Sequence, residues 1–85
     1  MDIDQRLKVA CKAAISILGL NGFTFSGLYW EATTGKWYVH IRKPDAKRFP
    51  VIINPDEVLA RTGSVDTDAL TDEIVNKLQA LELAA

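Results

Sequence analysis

The chain has 85 residues, of which 48% are hydrophobic and 25% are charged, and its formal net charge is −1. These totals predict one small folded domain over residues 1–85, and they exclude a disordered tail and a global electrostatic attraction to nucleic acid or membrane. The single cysteine excludes an internal disulfide, and no apolar run is long enough to span a bilayer, so we expect a cytoplasmic protein with no membrane partner.

The charges are unevenly distributed along the chain. Between positions 36 and 48 a single acid, Asp45, accompanies five basic residues, which are Lys36, Arg42, Lys43, Lys47 and Arg48. From Asp56 onward there are seven acids against Arg61 and Lys77. The sequence therefore predicts a basic middle and an acidic C-terminal third.

The first predicted element is a helix that begins after Asp2 and ends near Gly19. Asp2 followed by Gln5 resembles a capping box. Apolar residues at helical spacing form a stripe, which consists of Ile3, Leu7, Cys11, Ala14 and Leu18 and is widened by Val9, Ala13 and Ile17. So wide an apolar arc predicts a helix that is buried on more than one side.

The segment from Gly27 to Lys43 is typical of a β-hairpin. A four-residue loop over 32–35 would place a glycine at the left-handed position, and it would pair Glu31 with Lys36 and Trp30 with Trp37. In this register both indoles point toward the helices on a wholly apolar face. A three-residue loop would mix the faces, and a one-residue slip inverts every side chain, so the four-residue loop is predicted.

The other face of the hairpin is predicted to carry a tyrosine pair and a cross-strand ion pair between Glu31 and Lys36. Its expected outward residues are Tyr29, Glu31, Lys36, Tyr38, His40 and Arg42. This face is the part of the sheet that the helices leave free to act.

Three further elements follow the hairpin. A turn over 43–46 leads to a third strand over 49–53, which Pro50 confines to a sheet edge because proline cannot donate to the ladder. The run Asn54-Pro55-Asp56-Glu57 predicts a short helix that begins with a capping box and stops at Gly63. A last helix follows Asp66, with an apolar stripe of Leu70, Ile74, Leu78 and Leu81.

These elements define the predicted fold class. The order is helix, three strands, short helix and long helix. We therefore predict an α+β fold in which an N-terminal and a C-terminal helix cover one face of a three-stranded antiparallel sheet.

Catalytic and metal chemistry find little support in this sequence. His40 has no second histidine to work with, and Cys11 lies on the apolar stripe of a helix. Thr34-Gly35-Lys36 ends like a phosphate loop but is followed by Trp37 and enters a strand. We predict a protein that is not an enzyme and that uses no metal or cofactor.

The basic and aromatic hairpin is the best candidate for function. Flat tyrosine faces beside cationic groups suit nucleic acid or an acidic protein surface. The predicted contact residues are Tyr29, Lys36, Tyr38, His40, Arg42, Lys43, Lys47 and Arg48. The alternative is a solvated sheet face without a partner, since charge-rich strands are common.

Residues 26–60 resemble a known family. The segments from Ser26 to Trp30 and from Gly35 to Arg42 are similar to the first two strands of the AP2-type DNA-binding domain and of the arm-binding domains of phage integrases. The resemblance implies a sheet laid in the DNA major groove, with Lys36, Tyr38, His40 and Arg42 toward the DNA. Tyr29 and Glu31 depart from that family, which tends to have basic residues at these positions.

Two function classes follow from these observations. The first is a non-catalytic nucleic-acid-binding accessory protein that uses the hairpin. The second is a protein-binding inhibitor or adaptor of the phage type, which acts through the same face or through the acidic last helix. A steep loss of affinity with salt would favour the first.

Overall fold

The computed structural model describes residues 2–81. Its elements, in chain order, are α1 (Ile3–Ile17), β1 (Thr24–Glu31), β2 (Lys36–Arg42), β3 (Arg48–Ile53), α2 (Pro55–Thr62) and α3 (Thr67–Ala80). The strands form one antiparallel sheet in the order β1-β2-β3. Helix α1 packs against α3 and β1, and α3 packs against β3, so the predicted fold class is confirmed.

One apolar core lies between the helices and the sheet. The sheet contributes alternate residues of β2 and β3, as expected when one face is buried. The buried core residues are Leu7, Ala10, Cys11, Ala14, Leu20, Val39, Ile41, Val51, Ile53, Val58, Leu70, Ile74 and Leu78. Full burial of each large aliphatic side chain contributes about 1.5–3 kcal/mol, which makes this layer the main source of stability.

Helix α1 packs against both α3 and the sheet, but the outer part of its predicted apolar arc is exposed. Val9 is 44% exposed and Ile17 is 65% exposed. The physical reason is that α1 and α3 form a single layer on the sheet, and no described element covers the outer surface of α1. The predicted capping box is also absent, because the Asp2 side chain accepts no capping bond.

The hairpin has the predicted register. Glu31 pairs with Lys36 and Trp30 pairs with Trp37. Gly35 has a φ of 66°, and its N–H donates to the Glu31 carbonyl at 2.9 Å. Strand β1 extends three residues further toward the N-terminus than predicted, past a bulge between Phe25 and Gly27.

A tight turn connects β2 to β3 and contacts the loop after α1. The Ala46 N–H donates to the Lys43 carbonyl at 3.0 Å, which confirms the predicted turn. Ala46 has a φ of 70°, the left-handed position that glycine normally fills in such turns. A Cβ added to Gly22 would lie 2.9 Å from Cγ of Pro44, so the loop before β1 lies against this turn.

Side-chain caps start the last two helices. The Asn54 carboxamide oxygen accepts from the N–H of Asp56 at 3.0 Å, although no return bond from Glu57 forms within residues 2–81. Helix α2 ends at the predicted Gly63. The Asp66 carboxylate accepts from the N–H of Ala69 at 2.8 Å and starts α3.

Helix α3 has most of its predicted stripe. Leu70, Ile74 and Leu78 are buried in the core, as predicted. Leu81 follows the last helical residue and is exposed, so its place in the stripe is wrong. Over the part of the chain that is described, no helix is both long and apolar enough to cross a bilayer.

Candidate functional site

The sheet has a face without helices, which we call the open face. Each row of side chains on it takes one residue from each strand. From the hairpin tip to the other end, the rows are Tyr29–Tyr38–Ile52, Gly27–His40–Pro50 and Thr24–Arg42–Arg48. The Glu31–Lys36 pair lies beyond the tyrosine row at the tip. Residues two apart in a strand are about 6.6 Å apart, so the tyrosine and arginine rows are separated by roughly 13 Å.

The tyrosine row is aromatic and accessible. The rings of Tyr29 and Tyr38 meet edge to face, with centroids 6.0 Å apart and planes at 66°. Tyr29 is 59% exposed, and Ile52 on β3 is exposed as well. The predicted tyrosine pair is therefore formed on this face, and the ring of Tyr29 is accessible to a ligand.

Glu31 does not form the predicted ion pair with Lys36. Its carboxylate instead accepts from the hydroxyl of Thr34 at 3.0 Å and from that of Thr33 at 3.4 Å. These hydroxyls lie in the turn that follows Glu31, so they are closer to its carboxylate than the flexible lysine ammonium on the other strand. Within residues 2–81 the sole ion pair joins Arg61 to Glu73. Lys36 therefore keeps its charge available.

Glu31 also acts on Tyr38, its diagonal neighbour across the strands. Hydrogen bonding to the Glu31 carboxylate raises the pKa of the Tyr38 hydroxyl, and partial desolvation and the charges of Glu31 and Tyr29 act in the same direction. Tyr38 thus stays neutral at neutral pH and adds no negative charge to the open face.

Two arginines face each other at the far end of the open face. Arg42 on β2 is the cross-strand partner of Arg48 on β3, and both side chains are exposed. Neither has a carboxylate partner among the residues that the structure describes. Like charges placed directly opposite destabilise a sheet, so an anion bound between them would relieve a cost that the fold already bears.

A hollow lies between the tyrosine row and the arginine row. It measures about 560 Å³ and is lined by Ser26, Gly27, Leu28, Tyr29, His40, Arg48 and Pro50. Gly27 has no side chain, and a Cβ built there would meet no atom within 4 Å. Its φ of 157° lies outside the range that other residues favour.

The hollow was not predicted from the sequence. The available signal was an isolated glycine in a strand pattern, which is typical of a bulge or of close approach by a ligand. Ser26, Gly27 and Pro50 are therefore additions to the candidate site.

Six of the eight predicted contact residues share the open face, and two do not. Tyr29, Lys36, Tyr38, His40, Arg42 and Arg48 lie together on it. The ammonium of Lys43 lies 5.5 Å from the ring centroid of Phe49. Phe49 packs against the core, so Lys43 points toward the covered face of the sheet. Lys47 is exposed in the turn before β3 and belongs to none of the rows of the open face.

Apart from Glu31 at the hairpin tip, acidic groups of the C-terminal helix lie away from the open face. The exposed side chains of Asp68 and Asp72 belong to α3, which packs on the covered side of the sheet. The arginines of the basic segment therefore lie on the open face and the acids of α3 on the covered side, so these two groups of charges lie on opposite sides of the sheet. A polyanion would meet the open face with less repulsion than the helices.

The remaining reactive groups lie apart from the open face. Cys11 is fully buried, and this burial raises the pKa of its thiol to about 12, although Lys12 acts weakly in the opposite direction. In the described range 2–81, no three His, Cys, Asp or Glu side chains come together in a way that could hold a metal ion. The open face thus offers cations, hydroxyls and aromatic rings, with the Glu31 carboxylate at its tip.

The chain was compared with protein families, curated proteins and solved structures, and none of them matches. The resemblance to AP2-type and integrase arm-type domains stays a prediction.

Proposed function

We propose that this chain is a small non-catalytic nucleic-acid-binding protein whose contact surface is the open face. One observation carries the proposal. Arg42 and Arg48 lie opposite each other without a carboxylate partner among residues 2–81, on the same surface as the exposed ring of Tyr29.

The chemistry of this surface fits both parts of a nucleotide. Guanidinium groups bind phosphate oxygens through paired, charge-assisted hydrogen bonds. Aromatic rings stack on bases whatever their identity. The open face has the first at its arginine row and the second at its tyrosine row. An acidic protein surface would use the arginines but would gain less from the ring of Tyr29.

The placement of Lys36, Tyr38, His40 and Arg42 also supports the proposal. The resemblance to AP2-type domains implies that these residues face the nucleic acid, and all of them lie on the open face. The net charge of −1 means that affinity must come from this local surface. If Lys36, Arg42 and Arg48 each neutralise one phosphate, the logarithm of affinity should fall with the logarithm of salt, with a slope of about −2 for a single strand and about −3 for a duplex.

Fluorescence anisotropy with labelled single-stranded and duplex DNA at low ionic strength tests the proposal. We expect binding that weakens as salt is added and that Arg42→Ala reduces. Lys8→Ala is the matched control, because it removes one exposed positive charge from α1 on the covered side. A folded protein that binds neither probe at low salt would overturn the proposed function.

A protein-binding adaptor or inhibitor is the second candidate. The exposure of Val9 and Ile17 on α1 favours it, because large apolar side chains on one helix surface are typical of protein contacts. Under this reading, Ile17→Asp would abolish binding to a purified partner protein and Arg48→Ala would not. The opposite pattern with nucleic acid would favour the first candidate.

A further inference from the structure

We propose that the hollow over Gly27 is a base-binding subsite for single-stranded nucleic acid. One unpaired base enters the hollow and stacks on Tyr29, and an adjoining phosphate lies between Arg48 and Arg42. This inference rests on the proposed function and specifies the substrate class of the same surface.

The hollow has the size of a small-molecule site. Its volume of about 560 Å³ falls within the roughly 300–1,000 Å³ typical of ligand pockets. Tyr29 provides an aromatic wall and Pro50 an apolar one, while the Ser26 hydroxyl and the His40 imidazole can form hydrogen bonds with the edges of a base. Polar groups contribute more of the lining than apolar ones, so hydrogen bonds would orient the base while Tyr29 and Pro50 contact its faces.

The backbone creates this hollow. The bulge between Phe25 and Gly27 interrupts the pairing of β1, and Gly27 then leaves an empty position in the middle row of the open face. The two other members of that row, His40 and Pro50, both border the space. A ligand can therefore approach the strand backbone, which a side chain at this position would prevent.

The concave shape favours a single strand over a duplex. A sheet that reads a major groove presents protruding side chains to base edges. Here the centre of the open face recedes at Gly27, and the accessible ring of Tyr29 requires a base with a free π-face. Bases in a duplex are stacked on their neighbours, whereas single strands can present theirs.

The arginines are placed for the phosphate next to such a base. Arg48 lines the hollow itself, and Arg42 is its cross-strand partner. A phosphate between them would be bound by two guanidinium groups and would offset their mutual repulsion. Tyr29 at one end and Arg48 at the other therefore match the base and the phosphate of one nucleotide unit.

Anisotropy titrations with labelled oligo-dT, oligo-U and the oligo-dT·oligo-dA duplex test the subsite. We expect both single strands to bind at least about tenfold more tightly than the duplex. Tyr29→Ala should weaken single-strand binding roughly five- to 150-fold, the effect expected for loss of one stacked base. Tyr29→Phe keeps the ring and should retain wild-type affinity. The comparison of oligo-dT with oligo-U shows whether DNA or RNA is preferred.

Nuclear magnetic resonance gives a second, direct readout. The chain has two tyrosines, so protein labelled with ¹³C-tyrosine shows two sets of ring signals, which Tyr38→Phe assigns. Stacking of a thymine should shift the Tyr29 ring signals upfield when oligo-dT is added. Tyr29 is exposed, so its substitution should leave the fold intact, and circular dichroism verifies this.

The outcomes separate the subsite from the proposed function. If the duplex binds as tightly as the single strands, and Tyr29→Ala has no effect while Arg48→Ala weakens binding, the subsite is refuted and the proposed function stands. If no nucleic acid binds at low salt, both are refuted. Single-strand preference together with loss of affinity in Tyr29→Ala supports both.

Discussion

Arg42 and Arg48 face each other across β2 and β3 in a position where opposite charges would stabilise the sheet. The repulsion between them is unopposed by any carboxylate among the described residues. A surface that keeps such a pair gives up some stability, and binding of an anion would recover it. Stability and affinity should therefore respond in opposite directions to substitution at this site.

Arg48→Glu should stabilise the free protein and weaken its binding to nucleic acid. The new carboxylate would face Arg42, and a favourable cross-strand charge pair is worth about 0.2–1 kcal/mol. Urea denaturation measures the free energy of unfolding, and anisotropy measures the affinity. Arg48→Thr removes one charge without replacing it, so its free energy of unfolding should lie between those of the wild type and Arg48→Glu. A less stable Arg48→Glu protein would contradict the repulsion.

Gly22→Ala should destabilise the protein more than Gly19→Ala. Both glycines have positive φ, 82° and 63°, where a Cβ costs about 1–2 kcal/mol. The Cβ at position 22 would in addition lie 2.9 Å from Pro44, whereas the one at position 19 would meet nothing within 4 Å.

A double-mutant cycle isolates the contact between position 22 and Pro44. Pro44→Ala should cost less in the Gly22→Ala background than in the wild type, because the clash is then relieved. Thermal or urea unfolding of the four proteins provides the comparison. Strictly additive effects would show that the loop before β1 and the turn after β2 do not constrain each other.

Trp37→Ala should cost more stability than Trp30→Ala. The two indoles contact each other, with ring centroids 5.2 Å apart, but Trp37 packs against the core whereas Trp30 is 46% exposed. Truncation of a buried tryptophan costs about 3–5 kcal/mol, and we expect the partly buried Trp37 to lie near the lower limit and Trp30 well below it. Denaturant unfolding measures both losses of unfolding free energy. Equal losses would show that the exposed indole of Trp30 contributes as much to stability as that of Trp37.

Burial of Cys11 should make stability depend on alkaline pH. Its thiol pKa rises from an ordinary 9.0 to about 12 in the folded protein. A group whose pKa is raised by folding stabilises the protein fully below its unfolded pKa and loses that contribution as pH rises toward the folded pKa. The buried thiol should therefore favour folding below pH 9, and this contribution should be lost between about pH 9 and 12.

Comparison with Cys11→Ala tests the pH dependence. The variant lacks the thiol but retains every other titrating group, and its cavity lowers stability at all pH values. The difference in unfolding free energy between wild type and variant should narrow above pH 9. A difference that stays constant to high pH would show that the thiol ionises as easily in the folded as in the unfolded protein.

The sequence predicted the register of the sheet because a wrong register has a large penalty. A three-residue loop would set Trp30 beside Tyr38, whereas the four-residue loop pairs Trp30 with Trp37, and this pairing is the one observed. The caps at Asn54 and Asp66 were predictable for a similar reason, since each acts on backbone groups two or three residues away.

Features that depend on competition between partners could not be predicted. Strand alternation placed Glu31 opposite Lys36, but the hydroxyls of Thr33 and Thr34 take the carboxylate. Periodicity marked Val9 and Ile17 as apolar without telling whether another layer covers them. The hollow depends on a bulge, which shifts pairing by one residue and leaves no periodic signal.

The bulge before Gly27 also bears on how the protein behaves at high concentration. A three-stranded sheet has two lateral borders, and unpaired backbone groups at such borders can recruit strands from other molecules. Strand β1 has a bulge at Ser26, and β3 contains Pro50, which has no N–H to donate. Both borders thus resist addition of a further strand, and the chain should withstand fibril growth even in crowded solution.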